Sequence, residues 1–303
     1  PTTAEPPVPF DLSSPDSLKW IFLLGALVVL FVVDLAIVRG RGGAMTTRTA
    51  AIASAAWLAL ALLFGLGLLL ASDPTAAKSY FAGYLVEKSL SVDNVFVFLL
   101  VFSAFGIAAA ERHRLLSYGI AVALVLRGVF IVLGAALLES FSWTSFIFAA
   151  ILLLTAWKMW THRHDHDSEA HLVERVRGWL PFAKPALAAL TAIVLVDLLF
   201  AIDSVPAILA ITSDTYVVVA ANAFALHGLR PLFFLVADLV DRLYYLKAAL
   251  AAVLGFVGVK LILGELVGKI GPEISLPVIA AILAGGVLAS LERERRARAP
   301  QEA

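Results

Sequence analysis

No cysteine occurs in the 303 residues. That excludes disulfides and thiolate metal sites, so any metal this chain holds is bound through oxygen or imidazole. Charge is scarce as well: 15% of residues are Asp, Glu, Lys or Arg, against 61% hydrophobic. A soluble domain of this length cannot cover itself with so little polar surface, and the composition is that of a polytopic membrane protein. The charges also cancel, 23 basic against 23 acidic residues. No basic excess points to nucleic acid, and what matters is where the charges fall. Walker-type glycine loops are missing, and the apolar stretches hold no HExxH or Ser/His constellation. These absences argue against a nucleotide-driven pump and against an enzyme.

What is present is a succession of apolar runs of about 17–25 residues, the length that crosses a bilayer as helix. They lie near 18–38, 50–71, 80–105, 115–138, 143–160, 186–210, 216–236, 246–265 and 275–291. The expected fold is therefore all-α, a polytopic membrane bundle of about nine transmembrane helices over 18–291. Residues 1–17, rich in proline and without a basic segment or small-residue cleavage site, read as a disordered extracytoplasmic tail. A His-rich linker at 161–185 and a basic tail at 292–303 are expected in the cytoplasm. The seventh run continues as LRPLFFLVADLVDRLYYLK, which carries helix on to about 245 with a bend at Pro231.

Orientation follows from the basic residues on alternate connections. Sixteen fall on one side; Lys19, Lys78 and Lys269 fall on the other, and Lys88, Arg127, Arg230 and Lys260 lie within the runs. The bias places the N-terminus outside and the C-terminus in the cytoplasm.

Two runs carry acids at one spacing: EKSLSVDNVFVF at 87–98 and DLLFAIDSVPAI at 197–208. In each, an acid (Glu87, Asp197) precedes an aspartate by six residues (Asp93, Asp203), and a small polar residue follows at once (Asn94, Ser204). A charged side chain at the centre of a membrane helix costs about 2.5–3.5 kcal/mol on insertion scales, so such pairs mark a functional site by default. The next helix in each case carries an arginine, in LRGVFIVLGA (126–135) and LRPLFFLVAD (229–238). Since the motif helices are the third and sixth, they cross in opposite directions. Segments 80–138 and 186–245 thus read as an inverted repeat, with a site near the midplane where the halves meet.

Counting rise along each span places Glu87 level with Asp203 in the outer half, and Asp93 level with Asp197 near the centre. Residues six apart on a straight helix differ by about 240° in azimuth, so the two acids of a pair cannot face one site without an irregular turn. Pro206 supplies such a turn by freeing the carbonyl of Ile202 beside Asp203. The third helix has no proline, so its two acids serve different ends, one as ligand and one as relay or ion-pair partner.

Glu87, Asp93, Asp197 and Asp203, with Asn94, Ser204, Asn222 and freed carbonyls, form an all-oxygen set. It suits hard divalent cations: Mg²⁺, Ca²⁺ or Mn²⁺. Four acids against four bases, Lys88, Arg127, Arg230 and Lys260, also permit a reading in which the acids only neutralise buried cations, against which the small Asn94 and Ser204 beside the aspartates look like ligand completion. A mixture is expected, with arginines orienting some carboxylates while the others coordinate.

EKSLSVDNVFVF, then DLLFAIDSVPAILAITSDTYVVVAANAFALHGLRPLFF and DRLYYLKAALAAVLGFVGVK, resemble the TerC family of integral membrane proteins. The leading helix, ending DLAIVRG with Asp34 in its lower half, fits as well, and the resemblance covers roughly 18–290. It implies a nine-helix protein similar to the LysE-type transporter group, with activity as a manganese exporter of the bacterial inner membrane. The positions it implies for the site are Glu87, Asp93, Asn94, Asp197, Asp203, Ser204 and Asn222. Manganese is then substrate, with no prosthetic group, and proton exchange at the same acids is the expected coupling. The alternative function is that of a protein assisting secretion or membrane insertion, a partner of that machinery, whose acids brace the bundle.

Other features weigh less. THRHDHDSEAH (161–171) carries His162, His164 and His166, candidate peripheral metal ligands on what is more simply a solvated loop. His227 reads as a packing residue. Asp34 pairs locally with Arg39 or joins the relay, and Lys260 pairs an acid or acts as an internal counter-charge, between which the sequence does not choose.

Overall fold

The computed structural model describes residues 15–40, 46–71, 73–141, 143–161, 174–175, 177–179, 184–236, 244–267, 270 and 272–298. The chain divides into two compact units, 1–42 and 43–303. In the first, α1 (Pro15–Gly40) is 26 residues long. At 1.5 Å per residue that is about 39 Å of helix, enough to cross a bilayer. Residues 1–14 of the expected tail lie outside the described residues, as does the side chain of Asp34.

The second unit holds α2 (Thr47–Leu70), α3 (Pro74–Ala104), α4 (Ala109–Ser140), α5 (Thr144–Thr161) and α6 (Pro185–Leu209), then α7 (Thr215–His227), α8 (Leu229–Val236), α9 (Leu246–Leu266) and α10 (Pro272–Arg298). No strand occurs among the described residues. The nine apolar stretches all fall on helix, with α7 and α8 sharing the seventh. Among the described residues, seven candidate spans are long and apolar enough to cross a membrane: 47–70, 111–140, 144–161, 185–209, 215–235, 248–266 and 273–293. The protein is an all-α polytopic membrane bundle.

Local chemistry sets the helix ends. Asp73 caps α3 by accepting from the Ala76 N–H at 2.8 Å, with Pro74 in the first turn where its missing N–H costs nothing. Asp214 caps α7, accepting from the N–H groups of Tyr216 and Val217 at 3.0 and 3.3 Å. The expected bend at Pro231 is corrected: the helix breaks at Gly228, between α7 and α8. Pro231 sits in the first turn of α8, where proline is tolerated, so glycine is the breaking residue. Pro206 does not end α6, which continues as α-helix to Leu209. The basic tail begins inside α10, which runs on to Arg298.

Packing brings the motif helices together. α5 lies along α9, α4 along α6, and α3 against α7, α6 and α10. Two glycines of α4 allow the approach to α6. A Cβ at Gly119 would come within 2.8 Å of Ile193, and one at Gly134 within 2.8 Å of Leu209. Tyr80 fastens α3 to α2 by donating to the Ala61 carbonyl at 3.0 Å.

Two apolar clusters divide the interior between α4 and α6. One includes Leu116, Ile120, Ala123, Ile193 and Val196, the other Ile131, Ala135, Ala201, Val205 and Ile208. The stretch of α4 between them contains Arg127, and the stretch of α6 contains Asp197. A polar layer thus lies between two apolar ones.

Candidate functional site at the polar layer

Arg127 is fully buried, and Glu87 and Asp197 are 0% and 2% exposed. A guanidinium presents five donors in a rigid planar fork, so it can satisfy several acceptors at once. Here it takes Asp197 bidentately, Nη2 donating to Oδ1 at 2.9 Å and Nε to Oδ2 at 3.2 Å. Its Nη1 donates to Ser204 Oγ at 3.2 Å and forms the ion pair with Glu87 Oε1. One side chain of α4 therefore joins the first acids of both motifs, from α3 and from α6.

This arrangement corrects the expected levels. Glu87 and Asp197 meet on one guanidinium, whereas the rise along each span had matched Glu87 with Asp203. Bilayer depth counted from sequence carries the error of every helix end, and the tertiary contact does not. The one-faced set is spaced seven rather than six: Asp197 and Ser204 differ by about 20° in azimuth and address Arg127 together. Glu87 and Asn94 have the same spacing on α3, and Asn94 is buried.

Asp203, at the six-residue spacing, turns to another neighbour. It accepts a hydrogen bond from Thr155 Oγ1 of α5 at 2.7 Å. Thr155 was missed in the sequence, although a lone hydroxyl in AAILLLTAWKM was a signal for it. The side chain of Asp93, on α3, lies outside the described residues. Asn222 of α7 is buried, and its Nδ2 has no hydrogen-bond partner among the described residues.

The remaining cations separate from this cluster. Lys88 Nζ donates to the Ala225 carbonyl at 3.2 Å. That carbonyl is in the last turn of α7, where the helix dipole is negative and its carbonyls lack intrahelical donors. Lys88 has no carboxylate in ion-pair range among the described residues; its 100° turn from Glu87 aims it at α7. Arg230 of α8 donates from Nη1 to Ser117 Oγ of α4 at 3.3 Å. Lys260 is buried on α9, and its Nζ has no hydrogen-bond partner among the described residues. His227 bonds the Ala223 carbonyl through Nδ1 at 2.7 Å and packs on Trp57, the structural role expected of it. His162, His164 and His166 lie outside the described residues.

Among the described residues no group of three or more His, Asp or Glu side chains is placed to hold a metal. Glu87 and Asp197 set two acidic side chains against one guanidinium, a formal excess of one acid.

The description Integral membrane protein TerC family matches residues 72–298, most of the second unit. The chain belongs to the TerC family. It is 38% identical over 298 residues to a membrane protein of Myxococcus xanthus, covering 92% of this chain and 93% of that one. The chloroplastic thylakoid membrane protein TERC of Arabidopsis thaliana is 38% identical over 251 residues, 76% of this chain and 65% of that one. The membrane-bound redox modulator Alx of Escherichia coli K12 is 36% identical over 298 residues, 88% of this chain and 92% of its own. No solved structure matches this TerC chain.

Proposed function

We propose that this TerC protein is a secondary transporter that exports divalent manganese across a bacterial inner membrane. Its N-terminus lies outside and its C-terminus in the cytoplasm, and protons exchange at the acids that take the metal. It moves an ion and makes no covalent change. The observation that carries the reading is the meeting of Glu87 and Asp197, buried carboxylates of two different motif helices, on an arginine of a candidate membrane span. The acceptors around Arg127 are all oxygen and the acids outnumber the base, a set that suits a hard cation better than an oxyanion.

The helix pairing supports an inverted repeat. Exchanging α3 with α6, α4 with α7 and α5 with α9 maps the main contacts onto one another: α4 on α6 becomes α7 on α3, and α5 on α9 returns to itself. Such repeats are the usual frame for alternating access. Manganese is chosen among the hard divalent ions on the family resemblance. The redox name belongs to the Escherichia coli relative. This chain has no cysteine and so cannot perform thiol–disulfide chemistry itself.

The test is Mn²⁺ uptake into inverted membrane vesicles energised to make a proton gradient. Asp93→Asn, Asp197→Asn and Asp203→Asn are each expected to reduce the rate of uptake at least about tenfold, about 1.4 kcal/mol in activation free energy. Dissipating the pH gradient should abolish it in the unmodified protein. Full uptake by all three variants would refute the reading.

A second reading is favoured by the closure of Glu87 and Asp197 on Arg127: the acids brace a protein that serves the secretion machinery. Under it the Asn variants fail to accumulate, and Mn²⁺ gives the purified protein no thermal shift.

A further inference from the structure

Arg127 occupies the position that a transported cation needs. Its guanidinium engages both oxygens of Asp197, one oxygen of Glu87 and the Ser204 hydroxyl. A metal ion bound by this set would have to lie where the guanidinium now lies, because the acceptors converge on it.

We infer that Arg127 is a tethered competitor of the substrate, an internal cation that closes the site when no metal is present and is displaced when a divalent ion enters. The inference rests on the transport reading above and adds a residue that determines specificity. The charge arithmetic gives the selectivity. Two carboxylates with one guanidinium carry a net charge of −1, and a divalent ion in place of the guanidinium brings the set to zero. A monovalent ion only exchanges one positive charge for another. It gains nothing against a competitor that the chain holds beside the acids at high effective concentration. Arginine suits this role better than lysine, because its fork holds four acceptor oxygens together and, being weakly hydrated, it returns to them at a smaller desolvation cost than an ammonium.

The closed fraction sets a measurable cost to affinity. The apparent dissociation constant for metal is the intrinsic one divided by the fraction of open sites. A clamp that is closed nine-tenths of the time therefore weakens binding about tenfold. Removing it should strengthen binding while impairing the vectorial cycle.

The experiment measures Mn²⁺ binding to the full-length protein in detergent by titration and by thermal shift, with Na⁺ as competitor at constant ionic strength. The wild type is compared with Arg127→Gln. The expected result is at least about tenfold tighter Mn²⁺ binding in the variant, a larger Mn²⁺-induced thermal shift, and competition by Na⁺ that the wild type does not show. Unchanged or weaker Mn²⁺ binding in a folded Arg127→Gln protein overturns the inference while leaving the transport reading standing. No Mn²⁺ response in either protein overturns both. Should Arg127→Gln not accumulate, Arg127→Lys takes its place, with a smaller but still positive gain in affinity expected. Failure of both to accumulate also overturns the inference, since a clamp that opens in every cycle cannot be what holds the bundle together.

Discussion

Neutralising Arg127 and neutralising either of its acids should have unequal effects on stability. Arg127→Gln leaves Glu87 and Asp197 between two apolar clusters with no counter-charge. Removing one partner of a buried pair costs about 3–5 kcal/mol. Asp197→Asn leaves Arg127 paired with Glu87 and brings the set to zero net charge, so the loss is confined to weakened charge-assisted hydrogen bonds, about 1–3 kcal/mol. Glu87→Gln should cost less still, since Glu87 contributes one contact where Asp197 contributes two. By the size scaling of globular domains, 1 kcal/mol is about 2–4 °C in Tm, which puts Arg127→Gln about 6–20 °C below the wild type. The triple variant Glu87→Gln/Asp197→Asn/Arg127→Gln has no buried charge at this point and should recover more than half of that loss. The assay is tryptophan fluorescence on heating, without added metal, in one detergent at one scan rate, because membrane-protein unfolding is read kinetically. An Asp197→Asn protein that melts as low as Arg127→Gln, or a triple variant that melts lower than Arg127→Gln, would refute the clamp geometry.

Thr155→Val keeps the shape of the side chain but removes the donor to Asp203 at 2.7 Å. A hydrogen bond to a charged group is worth about 1.5–3 kcal/mol, so the variant should melt lower and lose Mn²⁺ uptake in vesicles, whereas Thr155→Ser should retain both. Gly134→Val places a Cβ at 2.8 Å from Leu209 and should separate α4 from α6. Overpacking of this kind costs about 1–3 kcal/mol, with Gly134→Ala milder in the same melting assay. Lys88→Met leaves the Ala225 carbonyl without its donor at the end of α7. It should cost about 1–2 kcal/mol, and Lys88→Arg should restore most of that.

The polytopic character and the position of each apolar helix were legible because they are local properties. A run of about 20 apolar residues crosses a bilayer whatever its neighbours are. An acid within such a run is costly wherever the helix packs. Gly228 and Pro231 show where local reading already weakens: both interrupt helices, and which of them breaks this one depends on whether proline falls in a first turn.

Which acids meet, and on what, was decided by the tertiary structure. Azimuth and depth accumulate error along a helix, while a contact between helices is set by packing at its own level. The close approach of α4 to α6 at Gly119 and Gly134 brings Arg127 onto Asp197 and Ser204, and the packing of α3 against α6 adds Glu87. The same packing sends Asp203 to Thr155 and Lys88 to the end of α7. Sequence alone established that charges must be satisfied inside the membrane. Only the fold chose their partners, because charged contacts act over a few ångströms and the partners lie up to 137 residues apart in the chain.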